Sequence, residues 1–116
     1  MMDEIFWDKL DNLIARAELE IDRPRGSVHP RYPEVIYPLD YGHLLGTKGS
    51  DGDPVDIWVG SDPEQRLTGV LCTVDLHKKD VELKLLLGCT AEEIQILRRF
   101  HDGHQAAALL VERSDP

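Results

Sequence analysis

Two segments of the chain repeat their apolar residues every three or four positions, which is the period of an amphipathic helix. The first, "EIFWDKLDNLIARA", has acids at its start and Arg16 near its end, an arrangement that suits the helix dipole. The second, "TAEEIQILRRF", opens with Thr90 and Glu93, whose spacing predicts a capping box. The predicted apolar faces are Phe6, Leu10, Leu13, Ile14 and Ala17 in the first helix, and Ile94, Leu97 and Phe100 in the second.

Between and after these helices the apolar residues form short runs rich in Val, Leu and Ile, as is typical of strands. The runs "IWVG", "GVLCTVDLH" and "VELKLLLGC" are separated by turn residues, and "HKKD" predicts a hairpin loop. The proline-rich segment "ELEIDRPRGSVHPRYPEVIYPLDYG" predicts a strand, a loop and a second strand. The segment "GHQAAALLVER" suits a helix or a strand by composition, and the Gly before its apolar run favours a closing strand.

These elements predict a fold of the α+β class that is mainly β. Consecutive short strands joined by tight turns expose their edges unless the sheet closes. We therefore expect a small closed antiparallel β-barrel flanked by an N-terminal and a C-terminal helix. The length of 116 residues suits one domain, so residues 1–116 are expected to form a single domain.

The charge of the chain narrows its possible partners. With 13 Lys and Arg against 22 Asp and Glu, the formal net charge is −9, which repels nucleic-acid phosphates. The apolar runs are too short for a membrane span, and the N-terminal segment has acids where a secretory signal has bases. We expect a cytoplasmic protein that binds neither nucleic acid nor membrane. The two cysteines lack the spacing of a disulfide framework or a zinc site.

The stretch "DGDPVDIWVG" concentrates acidic side chains just before a predicted strand. Strand alternation places Asp56 on the same face as Trp58, and the turn at Gly52 and Pro54 lets Asp51 and Asp53 curl back toward Asp56. Carboxylates held so close repel one another unless they bind cations, and such hard ligands suit Mg²⁺, Mn²⁺ or Ca²⁺. The spacing does not fit a calcium-binding hand. The alternative is a polar turn that uses Asp, Gly and Pro only for its geometry.

The surrounding sequence resembles the family I soluble inorganic pyrophosphatases. Their signature is an Asp, a small residue, Asp, Pro or Glu, an apolar residue, Asp and another apolar residue, and "DGDPVDI" matches it at every place. Their Tyr-Pro-x-x-Tyr-Gly element is matched upstream by Tyr37, Pro38, Tyr41 and Gly42. The resemblance is strongest over residues 20–60 and continues more weakly to Lys84. It implies a barrel flanked by helices, Mg²⁺ (or Mn²⁺) bound by carboxylates, and hydrolysis of pyrophosphate to two phosphates.

The resemblance also implies a role for each matching residue. Asp53 would be the catalytic general base toward water. The metal ligands would be Asp51, Asp56, Glu82 and Asp22. The substrate-binding residues would be Tyr41, Tyr37, Lys84, Arg25 and Arg31. The family habit also implies a homo-oligomer.

Several segments depart from the family pattern. The connection from Ser27 to Tyr37 is short, so Arg31 would replace a phosphate-binding Arg, and the loop "HKKD" leaves Asp75 and Asp80 as the nearest further acids. The C-terminal Tyr-Lys pair of the family has no counterpart. Two alternatives to pyrophosphate hydrolysis therefore stay open: hydrolysis of another phosphoanhydride such as a nucleotide, and a non-catalytic descendant that binds metal or phosphate.

Two further features favour structural roles. Trp58 is expected to pack in the core or an interface. His101 and His104 straddle a Gly at the end of the second helix and are expected to cap it.

Overall fold

The computed structural model describes residues 2–114. Within these residues two helices and six strands follow one another, and both predicted helices and the predicted strand after the second helix are confirmed. The elements are α1 (Met2–Arg16), β1 (Glu18–Arg23), β2 (Asp40–Leu45), β3 (Val55–Val59), β4 (Leu67–Asp75), β5 (Asp80–Leu87), α2 (Ala91–His101) and β6 (Ala106–Glu112). Neither helix is long and apolar enough to cross a bilayer within the described part of the chain.

The strands form one sheet in the order β1-β2-β3-β5-β4-β6. The prediction of a mainly β fold with two helices is confirmed, but the closed antiparallel barrel is wrong in two respects. Strands β1 and β6 lie at opposite edges of the order, so the sheet formed by residues 2–114 is open. Strands β3 and β5 are parallel, with Asp56 opposite Lys84. Strand β4 pairs with β5 in antiparallel orientation, and the predicted "HKKD" hairpin loop joins the two strands.

One helix packs on each face of the sheet. The predicted alternation along β3 is confirmed, because Ile57 belongs to the core under α1 and Trp58 to the core under α2. The first core consists of Trp7, Leu44, Ile57, Leu67, Val70, Leu85 and Leu87, and the second of Leu39, Trp58, Leu71, Leu86, Cys89, Ile94 and Leu97.

The start of α2 is tied to the end of β3. The predicted capping box is present, with the Thr90 side chain accepting from the Glu93 amide and the Glu93 carboxylate accepting from the Thr90 amide. Glu93 Oε1 also accepts a hydrogen bond of 3.1 Å from the Ser61 amide, just beyond β3. The cap therefore fixes α2 over the face that carries Trp58 and Asp56.

Candidate functional site

A buried lysine joins three of the predicted site residues. Lys84 Nζ lies 2.7 Å from Tyr41 Oη, 3.1 Å from Asp56 Oδ2 and 2.8 Å from Glu82 Oε2. The cluster follows from strand pairing: Asp56 on β3 is opposite Lys84 on β5, and Glu82 precedes Lys84 by two residues on the same face. Asp56 and Tyr41 thus contact the Lys84 ammonium group although they lie 28 and 43 positions away in the chain.

The contacts of this cluster set the charges of its members. Burial lowers the pKa of Lys84, but Tyr41, Asp56 and Glu82 outweigh that effect and hold the pKa above its ordinary value. Burial raises the pKa of Tyr41, and the opposing effect of Lys84 is smaller. At neutral pH the site therefore contains an ammonium ion and a neutral phenol.

A cavity of about 630 Å³ opens beside Lys84. Its charged lining includes Asp75 and Asp80, the two acids nearest in sequence to the shortened loop. Burial, together with the neighbouring Glu82 carboxylate, raises the pKa of Asp80. The aromatic lining consists of His29, Tyr32, Tyr37, Tyr41, Trp58, Phe100 and His101.

The aspartate stretch lies on the other side of Glu82. Asp51, Asp56 and Glu82 line a second cavity of about 320 Å³, and Glu82 lines both cavities. Asp51 Oδ1 accepts a hydrogen bond from the Asp53 amide at 3.0 Å, but among the described residues the carboxylate oxygens of Asp51, Asp53 and Asp56 do not all lie within 4.8 Å of one another. Asp53 is exposed. The three carboxylates that line this cavity are a donor set that fits a hard divalent cation.

A separate acidic group lies at the β1 edge. Among the described residues, the one group of three potential ligands whose donor atoms lie within 4.8 Å of one another is Glu20, Asp22 and His43. His43 Nδ1 lies 2.6 Å from Asp22 Oδ2, and this hydrogen bond raises the pKa of His43. Asp22 is thus brought to the same sheet face as Asp56, but its immediate partner is a histidine that the sequence reasoning did not include.

The two predicted arginines are not in the lysine cluster. The Arg25 amide donates to Asp40 Oδ1 at 2.7 Å, and the Arg25 side chain is exposed. Arg31 lines a neighbouring cavity that shares His29, Tyr32 and Lys78 with the main one, so it lies near the cavity mouth.

The rings that surround the cavity were largely missed by sequence reasoning. His101 does not cap α2 with its side chain: its Nε2 accepts a hydrogen bond of 3.1 Å from Trp58 Nε1, and the backbone of Asp102 forms the C-cap. Trp58 is 1% exposed, so its predicted role in the core is confirmed. The only sequence signal for His29 and Tyr32 is their position in the proline-rich loop that leads to Tyr37.

A mixed sheet thus presents carboxylates and a lysine beside a cavity, a set of groups whose chemistry suits phosphate together with cations. The inorganic pyrophosphatase family model matches residues 14–86, more than half of the chain. The chain therefore belongs to the inorganic pyrophosphatase family.

Curated relatives and solved structures agree with this assignment. The chain is 46% identical over 48 residues to the inorganic pyrophosphatase of Corynebacterium glutamicum, an alignment that covers 39% of this chain and 30% of that protein. It is 35% identical over 83 residues to that of Helicobacter pylori, covering 62% of this chain and 48% of that protein. The structure of the inorganic pyrophosphatase from Coxiella burnetii superposes with a TM-score of 0.59 at 16% identity, covering 83% of this chain and 84% of that chain. That structural likeness shows the fold.

The chain spans about half the length, or less, of the curated relatives that it matches.

Proposed function

We propose that this protein hydrolyses inorganic pyrophosphate to two phosphates with the help of Mg²⁺, for which Mn²⁺ can substitute. The single observation that supports this most is the cluster in which Lys84 contacts Tyr41, Asp56 and Glu82, because these are residues that the family resemblance assigned to phosphate and metal. The names of the curated relatives support the same substrate.

The role proposed for each residue follows from its charge and hydrogen-bonding groups. Asp51, Asp56 and Glu82 would hold the cation, with Asp22 as a further ligand. Bound Mg²⁺ would neutralise charge on the phosphates and lower the pKa of a coordinated water. Asp53 is exposed and would accept the proton of the attacking water. The Lys84 ammonium and the Tyr41 hydroxyl would donate hydrogen bonds to phosphate oxygens, and Tyr37, Arg25 and Arg31 would contact the substrate from the loop side.

The test is phosphate release from pyrophosphate in the presence of Mg²⁺ or Mn²⁺. We expect turnover that falls to background in Asp53→Asn. We also expect Lys84→Gln to lower kcat by roughly 10²- to 10³-fold, as loss of one charge-stabilising donor does in other enzymes. Lys9→Gln on exposed α1 surface is the matched control and should leave kcat unchanged. Equal rates for the wild-type protein and Asp53→Asn would refute the proposal.

We further propose that copies of this chain associate through an apolar patch on the α1 face of the sheet. The patch consists of Val74, Val81, Leu83, Leu109 and Val111, each at least 40% exposed. Their pairing in register places them side by side on β4, β5 and β6. A second copy is the occupant we favour, because a patch without charged residues is a place where two chains of net charge −9 can meet with little repulsion.

We expect the protein to be located in the cytoplasm, and this remains a prediction from its charge pattern.

A further inference from the structure

Aromatic rings form a row from the lysine cluster to the mouth of the main cavity. The Lys84 ammonium lies 5.1 Å from the centre of the Tyr41 ring, and Tyr37 stacks on Tyr41 with ring centres 5.9 Å apart. On its other side Tyr37 stacks on His29 at 6.1 Å with the ring planes only 6° apart, and His29 contacts Tyr32 at 5.0 Å. The charged inner end of the cavity is thus continuous with an aromatic outer end.

At the outer end of the row the His29 ring is held in place and the Tyr32 ring is accessible. His29 Nδ1 accepts hydrogen bonds from the amides of Arg31 and Tyr32, at 3.0 and 3.3 Å, which fixes the orientation of the imidazole. The Tyr32 side chain is 44% exposed. A preformed, exposed aromatic surface can stack on a planar ligand without first having to become ordered.

The size and lining of the cavity exceed what pyrophosphate requires. Pyrophosphate has only phosphoryl groups and offers no surface that gains from aromatic contact. The volume of about 630 Å³ lies within the range of roughly 300–1,000 Å³ typical of sites for larger organic ligands. Besides the rings, Val35 and Ile36 line the cavity, and Lys78 adds a second cation to Lys84. The cavity therefore combines a phosphate-binding end with a wall suited to a flat organic group.

We propose that the site takes a diphosphate ester that carries a planar ring, of the class represented by a nucleoside diphosphate, with the ring stacked at Tyr32 and His29. This proposal rests on the proposed function, since it assigns the diphosphate to the same lysine and carboxylates. In the reaction, water oxygen bonds to the terminal phosphorus and the bond from that phosphorus to the bridging oxygen breaks. The nucleoside monophosphate leaves with that electron pair, inorganic phosphate is the second product, and Asp53 accepts the water proton.

The test compares ADP with methyl diphosphate, which has the same phosphates but no ring. Calorimetric titration in the presence of Mg²⁺ should show ADP binding roughly five- to hundredfold more tightly, the usual gain from stacking one base on an aromatic side chain. Tyr32→Ala should remove most of this difference, whereas Tyr32→Phe should retain it. Pyrophosphate turnover should be unchanged in both variants, because the Tyr32 side chain lies at the cavity mouth.

Binding and turnover separate this proposal from the proposed function. Equal affinities for ADP and methyl diphosphate, or a preference that persists in Tyr32→Ala, would overturn the stacking site even if pyrophosphate is hydrolysed. A preference for ADP that depends on the Tyr32 ring would support the stacking site even if no phosphate is released, and the absence of release would then count against the proposed hydrolysis alone.

Discussion

The side chain of His101 connects the helix α2 to the buried tryptophan beneath the site. Burial, together with the nearby Lys84 ammonium, lowers the pKa of His101 to about 4 against the smaller opposing effects of Glu82 and Asp102. The imidazole is therefore neutral at pH 7, the state in which Nε2 can accept the Trp58 N–H. Protonation would charge a buried ring and break that hydrogen bond.

We predict that His101 makes stability fall in mild acid. Because the folded pKa lies below the value of 6.5 for an unfolded histidine, the unfolded state binds the proton first, so stability is full above pH 6.5 and is lost as pH falls toward 4. The loss should be on the order of 3 kcal/mol. Urea unfolding of the wild-type protein and of His101→Gln at pH 7 and pH 4.5 measures it.

The His101→Gln variant controls for carboxylates elsewhere in the protein, which also titrate in this pH interval. It keeps a hydrogen-bond acceptor at position 101 and lacks only the titrating imidazole. Its stability should fall less than that of the wild-type protein over the same pH interval. Equal decreases would show that His101 does not contribute.

At the scale of elements, one glycine allows the first two strands to pair. A Cβ on Gly42 would collide with the backbone carbonyl of Glu20, because Gly42 lies opposite Ile21 where β1 changes register. The Gly of the Tyr-Pro-x-x-Tyr-Gly element is thus explained by close approach of two backbones. Asp22 lies at the change of register between Ile21 and Arg23, and its Oδ2 is 2.6 Å from His43 Nδ1.

We predict that Gly42→Ala weakens β1 pairing and lowers the free energy of unfolding by about 1–3 kcal/mol, the usual range for overpacking. Hydrogen exchange should show faster exchange of amides in β1 than in β4. The matched control is Gly103→Ala, where a Cβ would meet no atom within 4 Å. Similar losses in both variants would mean that the Glu20 contact is not the cause.

The sequence predicted the elements better than their arrangement. The helices, the hairpin and the alternation on β3 depend on local periodicity and turn residues, and they are confirmed. The parallel pairing of β3 with β5 was missed because period-2 alternation states which face a side chain occupies and not which strand lies beside it. The open edge at β6 was missed for the same reason.

The candidate site was predictable where a motif covered it. Asp56, Tyr41 and Glu82 all contact Lys84, and the roles that the resemblance assigns to these residues stay predictions. The partner of Asp22 and the rings at the cavity mouth were not predictable, since residues far apart in the chain meet there only through the fold. Tyr32, for example, lies in a proline-rich loop that has no periodic pattern.

At the scale of the whole molecule, we predict that Mg²⁺ stabilises the folded protein in a pH-dependent way. A ligand that binds only the folded state adds about 2.7 kcal/mol at a hundredfold excess over its Kd. Deprotonated carboxylates bind the cation best, so the increment should be large at pH 7.5 and small at pH 4.5. Melting curves with and without millimolar Mg²⁺ measure it, with Na⁺ at equal ionic strength as control. An equal increment at both pH values, or one that Na⁺ reproduces, would indicate a polar turn and no metal site.

We also predict that a charge within the apolar patch reduces self-association. Leu109 is 65% exposed on the edge strand β6, so Leu109→Lys should shift the protein toward the monomer in sedimentation experiments without unfolding it. Leu19→Lys on the opposite edge strand is the matched control and should leave the mass unchanged. A monomeric wild-type protein at micromolar concentration would contradict the proposal.

The parallel pairing of β3 and β5 also has a consequence for the order in which the chain folds. The β4–β5 hairpin closes over a short turn, whereas Asp56 and Lys84 are 28 residues apart and can meet only when β3 docks beside β5. The hairpin should therefore form early and the lysine cluster late. Lys79 in the hairpin turn has a φ of 58°, a conformation that glycine adopts more easily, so Lys79→Gly should speed refolding. Asp56→Asn should instead alter mainly the unfolding rate in stopped-flow measurements.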